Sequence, residues 1–318
     1  MMQRNAGCRA PALAAAAACL ALMLGGCATP QVSGLQERWP ATLPATAAIA
    51  NVPFYPQEDY QCGPAALAMA ASAAGTPLRP ESLVDQVYVP ARQGSLQLEM
   101  LAAGRRHGML SYRIRPGIDA LLQEVAAGNP VIVLQNLSFS FAPVWHYAVV
   151  IGFDRNRNML VLHSGRTQNM EMSLFTFERT WARADHWAML LLPPARLPAT
   201  ADADSIAAAA AALERNAPAA AQSAYAAALG RWPDHASLLL GNGNAAYVLG
   251  QKKAAVQAYR RLTSFHPDHA DGWNNLAQAL LDEGMHREAS AAVARAVALG
   301  GPRLPRYLEL QDAIQVRR

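Results

Sequence analysis

Pro233-Asp234-His235-Ala236 recurs as Pro267-Asp268-His269-Ala270, an interval of 34 residues. A fixed period of that length marks a helix-turn-helix unit, which buries its apolar face only by stacking on its neighbours. An alanine-rich coiled coil does not fit, because a sustained heptad is missing and prolines at that period would interrupt it. The end of the chain is therefore expected to be an all-helical stack.

With Pro233 and Pro267 as the prolines that close two units, small residues and aromatics fall at regular places. The first unit holds Ala221, Tyr225 and Ala228, and the second holds Gly243, Gly250, Ala255 and Tyr259. A third supplies Trp273, Leu276, Ala277, Leu280, Gly284, Ala289 and Ala296, with its proline one place late at Pro302. These three units resemble tetratricopeptide repeats. The resemblance implies a groove for a protein partner over residues 201–318, with a helix from Leu304 to about Val316 capping the stack.

At the other end, Arg4 and Arg9 precede an apolar Ala/Leu stretch from Ala10 to Gly25, which reads as a secretory leader over residues 1–26. That stretch is shorter than the ~20 residues a spanning helix needs. Leu24-Gly25-Gly26-Cys27 resembles a bacterial lipobox, which implies lipidation at Cys27 and a membrane contact through the lipid. Ala28 is not the acidic residue that marks inner-membrane retention, so the expected location is the outer membrane, facing the periplasm. Residues 27–45 carry Pro30, Pro40 and Pro44 without an apolar period and read as a flexible tether.

Removing Arg4 and Arg9 takes the 27 basic residues to 25 against 23 acidic ones, a net charge of about +2. The basic residues are scattered, and phosphate binding needs them clustered, so nucleic acid is excluded as a partner. No HExxH or CxxC spacing supports a metal, and no glycine-rich strand-to-helix turn supports a nucleotide. Neither a metal nor a cofactor is expected.

Residues 46–195 read as helices first and an antiparallel sheet second, an α+β arrangement. Ile49 to Phe54 is a candidate edge strand, followed by helices from Cys62, from Pro80 to Tyr88 and from Ser95 to about His107. Strand Leu110 to Ile114 and helix Ile118 to Ala127 come next. Strands Val131 to Leu134, Trp145 to Phe153 and Met159 to Leu162 follow, then helix Leu174 to Arg183 and a last strand Trp187 to Leu192. Pro193 to Pro198 is rich in proline, so residues 196–200 are expected to be a linker with few contacts, leaving the repeat region separable.

Of the four cysteines, Cys8 and Cys19 lie in the leader and Cys27 in the lipobox, which leaves Cys62 as the free thiol. It stands at a helix start, before Gly63-Pro64. Unpaired N–H groups and the helix dipole favour the thiolate there, although a small buried core cysteine would also fit. A thiolate nucleophile needs a base within reach, and His146 opens the apolar strand Tyr147 to Phe153, where the sheet can hold it. Zinc held by Cys62, His146 and His163 explains the helix address less well.

Gln57 and Cys62-Gly63-Pro64, followed 84 residues later by His146-Tyr147-Ala148-Val149-Val150-Ile151-Gly152-Phe153-Asp154, resemble the papain-like leader peptidase domain of bacteriocin-processing transporters and its free-standing relatives. The resemblance implies a papain-like fold, Cys62 as nucleophile, His146 as base and then acid, and Gln57 with the Cys62 N–H as oxyanion donors. It implies no cofactor and a peptide or protein substrate. That family carries an Asp at the end of the strand after the histidine, where this chain has Leu162-His163-Ser164-Gly165. His163 or Ser164 would orient His146 as a neutral partner, and Asp154, Asn156 or Asn158 would reach in only from the hairpin. A cysteine peptidase is the expected function. The competing readings are a papain-like scaffold acting in protein binding or assembly, and acyl transfer other than hydrolysis on the same residues.

Overall fold

The computed structural model describes residues 29–57 and 61–316. The leader and Cys27 lie outside these residues. The first half is built on a seven-stranded antiparallel sheet. In chain order the elements are α1 (Pro30–Glu37), β1 (Thr46–Ala48), α2 (Cys62–Ala73), α3 (Val84–Val87), β2 (Tyr88–Val89), β3 (Gly94–Ser95), α4 (Gln97–Arg106), β4 (Leu110–Arg113), α5 (Ile118–Ala126), β5 (Val131–Asn136), β6 (Trp145–Asp154), β7 (Met159–Ser164), β8 (Thr167–Ser173), α6 (Leu174–Ala182) and β9 (Ala188–Leu192). The strands lie in the order β4-β9-β5-β6-β7-β8, and β1 pairs with β6 beyond the end of β5.

Side chains alternate across a strand, and this alternation divides the sheet between two cores. Val131, Val133, Ala148 and Val150 face α1, α5 and α6, whereas Ile132, Leu134, Tyr147, Val149 and Ile151 face α2 and α4. Burial on both sides accounts for the unbroken apolar runs of β5 and β6.

Residues 30–37 are not part of a flexible tether. They form α1, which buries Val32 and Leu35, three positions apart on one face. The buried Glu178 carboxylate of α6 accepts the N–H groups of Gln31 and Val32 at 2.9 and 2.7 Å, and Gln31 Oε1 accepts the Ile118 N–H at 2.8 Å. A carboxylate at a helix N-terminus satisfies donors that have no partner inside the helix. Smaller differences are local. The expected strand Ile49 to Phe54 is not formed, and the strand of this region, β1, ends just before it at Ala48. The expected helix from Pro80 splits into a 3₁₀ turn (Pro80–Ser82) and α3, and Ser95 belongs to β3 rather than capping α4.

The second half is helical: α7 (Ala203–Glu214), α8 (Pro218–Arg231), α9 (Ala236–Val248), α10 (Lys252–Phe265), α11 (Ala270–Asp282), α12 (His286–Leu299) and α13 (Leu304–Val316). Three helical hairpins stack, and α13 packs against α11 and α12 at the end. The small residues are required where aromatics cross. A Cβ on Gly243 would lie 2.4 Å from the Tyr259 ring, and one on Gly241 only 2.1 Å from that of Tyr225.

Gly243→Ala is therefore expected to destabilise the chain by about 1–3 kcal/mol through overpacking, against the ~1 kcal/mol that alanine gains over glycine in an open helix. Gly34→Ala in α1, where nothing lies within 4 Å, is the control and should stabilise. Urea midpoints measure both. Equal gains for the two variants would refute the packing account.

Candidate active site

The N-terminus of α2 meets the sheet at the end where the β5–β6 and β7–β8 connections lie, leaving a cavity of about 710 Å³. Cys62, His146 and Gln57 all line it. Cys62 is the first residue of α2, and Gly63 lets that helix start lie against β3. A Cβ at position 63 would fall 2.2 Å from Ser95 Oγ, so the glycine is needed for close approach. Tyr147 Oη donates to the Ser95 carbonyl at 3.2 Å and ties the β2–β3 ribbon to the central strand.

Burial pushes the Cys62 thiol up from its ordinary value. The backbone N–H groups of Tyr147, Gly63 and Cys62 itself pull the other way and are outweighed. The expectation of a thiolate favoured by its helix address is thus reversed by desolvation, which disfavours any charged form.

His146 sits at the start of β6, opposite Gln135 of β5. Its Nε2 is 2.9 Å from Ser164 Oγ. Burial lowers its pKa to about 4, so the ring is neutral at neutral pH. At neutral pH the cavity is thus lined by a thiol and a neutral imidazole.

Gln57 is buried and anchored by its N–H to the Gly165 carbonyl at 3.1 Å. Its side-chain Nε2 is buried with no acceptor among the described residues. Leaving a donor in that state is costly, and a substrate oxygen would relieve it. That is the state expected of an oxyanion donor before substrate arrives.

His163 does not orient His146. Its Nε2 faces the Val52 carbonyl at 3.2 Å, its Nδ1 accepts the Asn169 N–H at 3.3 Å, and its ring packs edge-on against Phe54. Both ring nitrogens are engaged elsewhere, and it is the next residue, Ser164, whose hydroxyl meets the His146 ring. The β6–β7 hairpin does not reach in either. Asp154 Oδ1 accepts the N–H groups of Asn156 and Arg157, and Asn158 Oδ1 accepts from Gln36 Nε2. Among the described residues no three His, Cys, Asp or Glu side chains are grouped to hold a metal.

Two contributors escaped the sequence reading. The Tyr147 N–H acts on Cys62 through the backbone, which carries no side-chain signal. Ser95 acts through its carbonyl and its closeness to Gly63, where the glycine was the available hint.

The repeats hold a second cavity, of about 550 Å³, between α9, α11 and α13. Asn244 Oδ1 there accepts from Tyr259 Oη and Asn275 Nδ2 at 2.8 and 3.1 Å, and Asn274 Oδ1 is buried without a partner among the described residues.

A search of curated proteins gives no match. Among solved structures, a C39-like peptidase from Bacillus anthracis is 17% identical over 46% of this chain and 97% of its own, with a TM-score of 0.38. The peptidase domain of Streptococcus ComA, a bifunctional ABC transporter involved in a quorum-sensing pathway, is 24% identical over 45% and 99%, with a TM-score of 0.35. The Sgt2 TPR domain from Aspergillus fumigatus is 22% identical over 36% and 79%, with a TM-score of 0.33. The family model for the Peptidase C39 like family matches residues 49–189, so that segment is similar to C39-like peptidase domains, and helical repeats follow it.

Proposed function

We propose that this chain is a lipid-anchored cysteine peptidase of the cell envelope, held at the outer membrane through Cys27 and facing the periplasm. Cys62 is the nucleophile. Its Sγ attacks a peptide carbonyl carbon while His146 takes the thiol proton, and the developing oxyanion is received by Gln57 Nε2 and the Cys62 N–H. As the C–N bond breaks, His146 returns the proton to the leaving amine. Water activated by the same ring then hydrolyses the thioester and regenerates the thiol. Ser164 positions the ring. The repeats serve as the protein-binding module, since a stacked helical array presents an extended surface and the cavity beside Asn274 carries an unmet acceptor.

The observation that carries this reading is the juxtaposition of an oriented His146, an unpartnered Gln57 amide and Cys62 around one cavity. The scaffold reading draws on a different observation: the neutral resting pair, with a serine in place of a carboxylate, makes a weak nucleophile. A thiol-directed peptide probe bearing an acyloxymethyl ketone separates the two. It is expected to label Cys62 in wild-type protein and to fail with Cys62→Ala, with His146→Ala labelling at least about a hundredfold more slowly. Equal labelling of wild type and His146→Ala would leave the scaffold standing.

A further inference from the structure

Between β5 and β6 the chain runs Leu137-Ser138-Phe139-Ser140-Phe141-Ala142-Pro143-Val144, and it turns its large apolar side chains to water. Phe139 and Phe141 are 68% and 86% exposed, and Leu137, Val144 and Trp145 are about half exposed. Single exposed apolar residues need no explanation, but a contiguous group does.

This hairpin is a built feature. Asn136 Oδ1 accepts the N–H groups of Ser138 and Val144, both at 3.0 Å, and its Nδ2 donates to the Phe139 carbonyl at 3.4 Å. The Arg183 guanidinium holds the Asn136 carbonyl at 2.8 and 3.1 Å. The Phe139 and Phe141 rings stack 5.3 Å apart, 8° from parallel. Two aromatic faces are thus fixed against each other and pointed away from the body.

The surface is also continuous with the cleft. Val144 and Trp145, at the base of the hairpin, line the same cavity as Cys62 and His146, and so does Leu96. Leu98, 77% exposed, lies two residues beyond.

We propose that this apolar wall selects the substrate: an extended peptide segment carrying large apolar side chains lies across Leu96, Trp145 and the Phe139–Phe141 pair, which places a neighbouring peptide bond at Cys62. The inference rests on the peptidase reading and names its substrate class. A peptide fits better than a bilayer because the wall runs into the cleft, and because α1, which begins three residues after Cys27, packs in the layer opposite α2.

The test uses the chain from residue 27 with Cys27→Ser, so that no lipid obscures the comparison, alone and with Phe139→Ser/Phe141→Ser. Both rings are exposed, so their loss leaves the core untouched. Fluorogenic peptides carrying Phe or Leu beside the scissile bond should be cleaved at least about tenfold better than peptides carrying Ser. The double variant should lose that preference through KM while cutting the serine peptides at the parental rate. Cleavage of both sets with equal efficiency by the parent overturns the wall and leaves the peptidase reading intact.

A binding arm in the Cys62→Ala background separates the two ideas. A fluorescein-labelled phenylalanine peptide should bind, and at least about tenfold less tightly when both rings are serine. Binding without any cleavage by the parent removes catalysis alone, and absence of binding overturns the wall. A third arm floats the proteins with phosphatidylethanolamine–phosphatidylglycerol vesicles. Vesicle binding that the serine changes abolish, with peptide binding unaffected, would assign the surface to a bilayer and overturn the proposal.

Discussion

Replacing Ser164 with Asp is expected to lower the midpoint for Cys62 alkylation and to raise kcat/KM for peptides by about tenfold or more. In the native chain burial holds His146 at about 4, so its ring is already neutral above about pH 5 and no imidazolium faces the thiol at neutral pH. Burial also raises the thiol. Alkylation by a neutral reagent should therefore climb on the alkaline side, above the ~8.5 of an ordinary cysteine, and His146→Ala should barely move that midpoint. The same variant should nevertheless lower turnover by about 10²–10⁴-fold, because the ring is needed as the proton acceptor of the chemical step. A carboxylate 164, close to Nε2, favours the charged ring and typically lifts such a pKa by ~1–3 units. A more basic ring takes the thiol proton more readily, so the thiolate–imidazolium form gains population and the alkylation midpoint falls. In Ser164→Asp/His146→Ala that fall should vanish. Ser164→Asn, which can orient the ring without adding charge, should leave the alkylation midpoint where it is. If native Cys62 alkylates with a midpoint near pH 6 that rises in His146→Ala, the resting state is an ion pair and the neutral-pair account is wrong.

The pattern of what could and could not be read from the sequence follows from range. The cores beside β5 and β6 are written in consecutive residues, because alternation assigns Ile132, Leu134 and Val149 to one layer and Val131, Val133 and Val150 to the other. The stacked hairpins are legible for the same reason: Tyr225, Gly243 and Tyr259 recur at fixed offsets, and each aromatic sits where a glycine leaves room.

α1 escaped because eight residues with two apolar positions make no period, and its N-terminus is satisfied by Glu178, which is 146 residues away from Val32. β8 escaped because Thr167–Ser173 is a polar edge strand in which only Met170, Met172 and Ser173 are partly buried. The orienting residue is a subtler case. Along β7 adjacent residues point to opposite faces, and the ladder to β8 shifts register between Leu162 and Ser164. A slip of one residue exchanges His163 for Ser164, and no local feature of Leu162-His163-Ser164-Gly165 announces it. The thiol illustrates a limit of another kind. Its helix address supplies the sign of one influence, whereas desolvation depends on everything that packs around it.

The repeat region is expected not to fold as it does here when cut from the sheet domain, because the segment expected to be a loose linker is clamped. The buried Glu124 carboxylate of α5 accepts the N–H groups of Ala199 and Thr200 at 3.1 and 2.7 Å, the Thr200 hydroxyl at 2.6 Å and Asn129 Nδ2 at 2.7 Å. One core then runs without a break from Leu110, Tyr112 and Leu192 of the sheet domain through Ile206, Ala210 and Leu213 of α7 to Tyr225 and Leu238. The sheet domain occupies the place of an N-terminal cap, which a repeat stack needs because its first helix has no neighbour on one side. A fragment of residues 200–318 should lose helicity from α7 and α8 and melt broadly, whereas the full chain should unfold in one transition. Glu124→Ala in the full chain leaves two backbone donors, a hydroxyl and the buried Asn129 amide without their acceptor, which should cost about 1–3 kcal/mol. Glu124→Gln keeps the shape but removes the charge and should cost less. Circular dichroism and urea denaturation of the fragment, the parent and the two variants read these outcomes directly. Two well-separated transitions in the parent, or a fragment that melts as sharply as the whole, would show that the halves are independent and that the Glu124 clamp joins two finished domains.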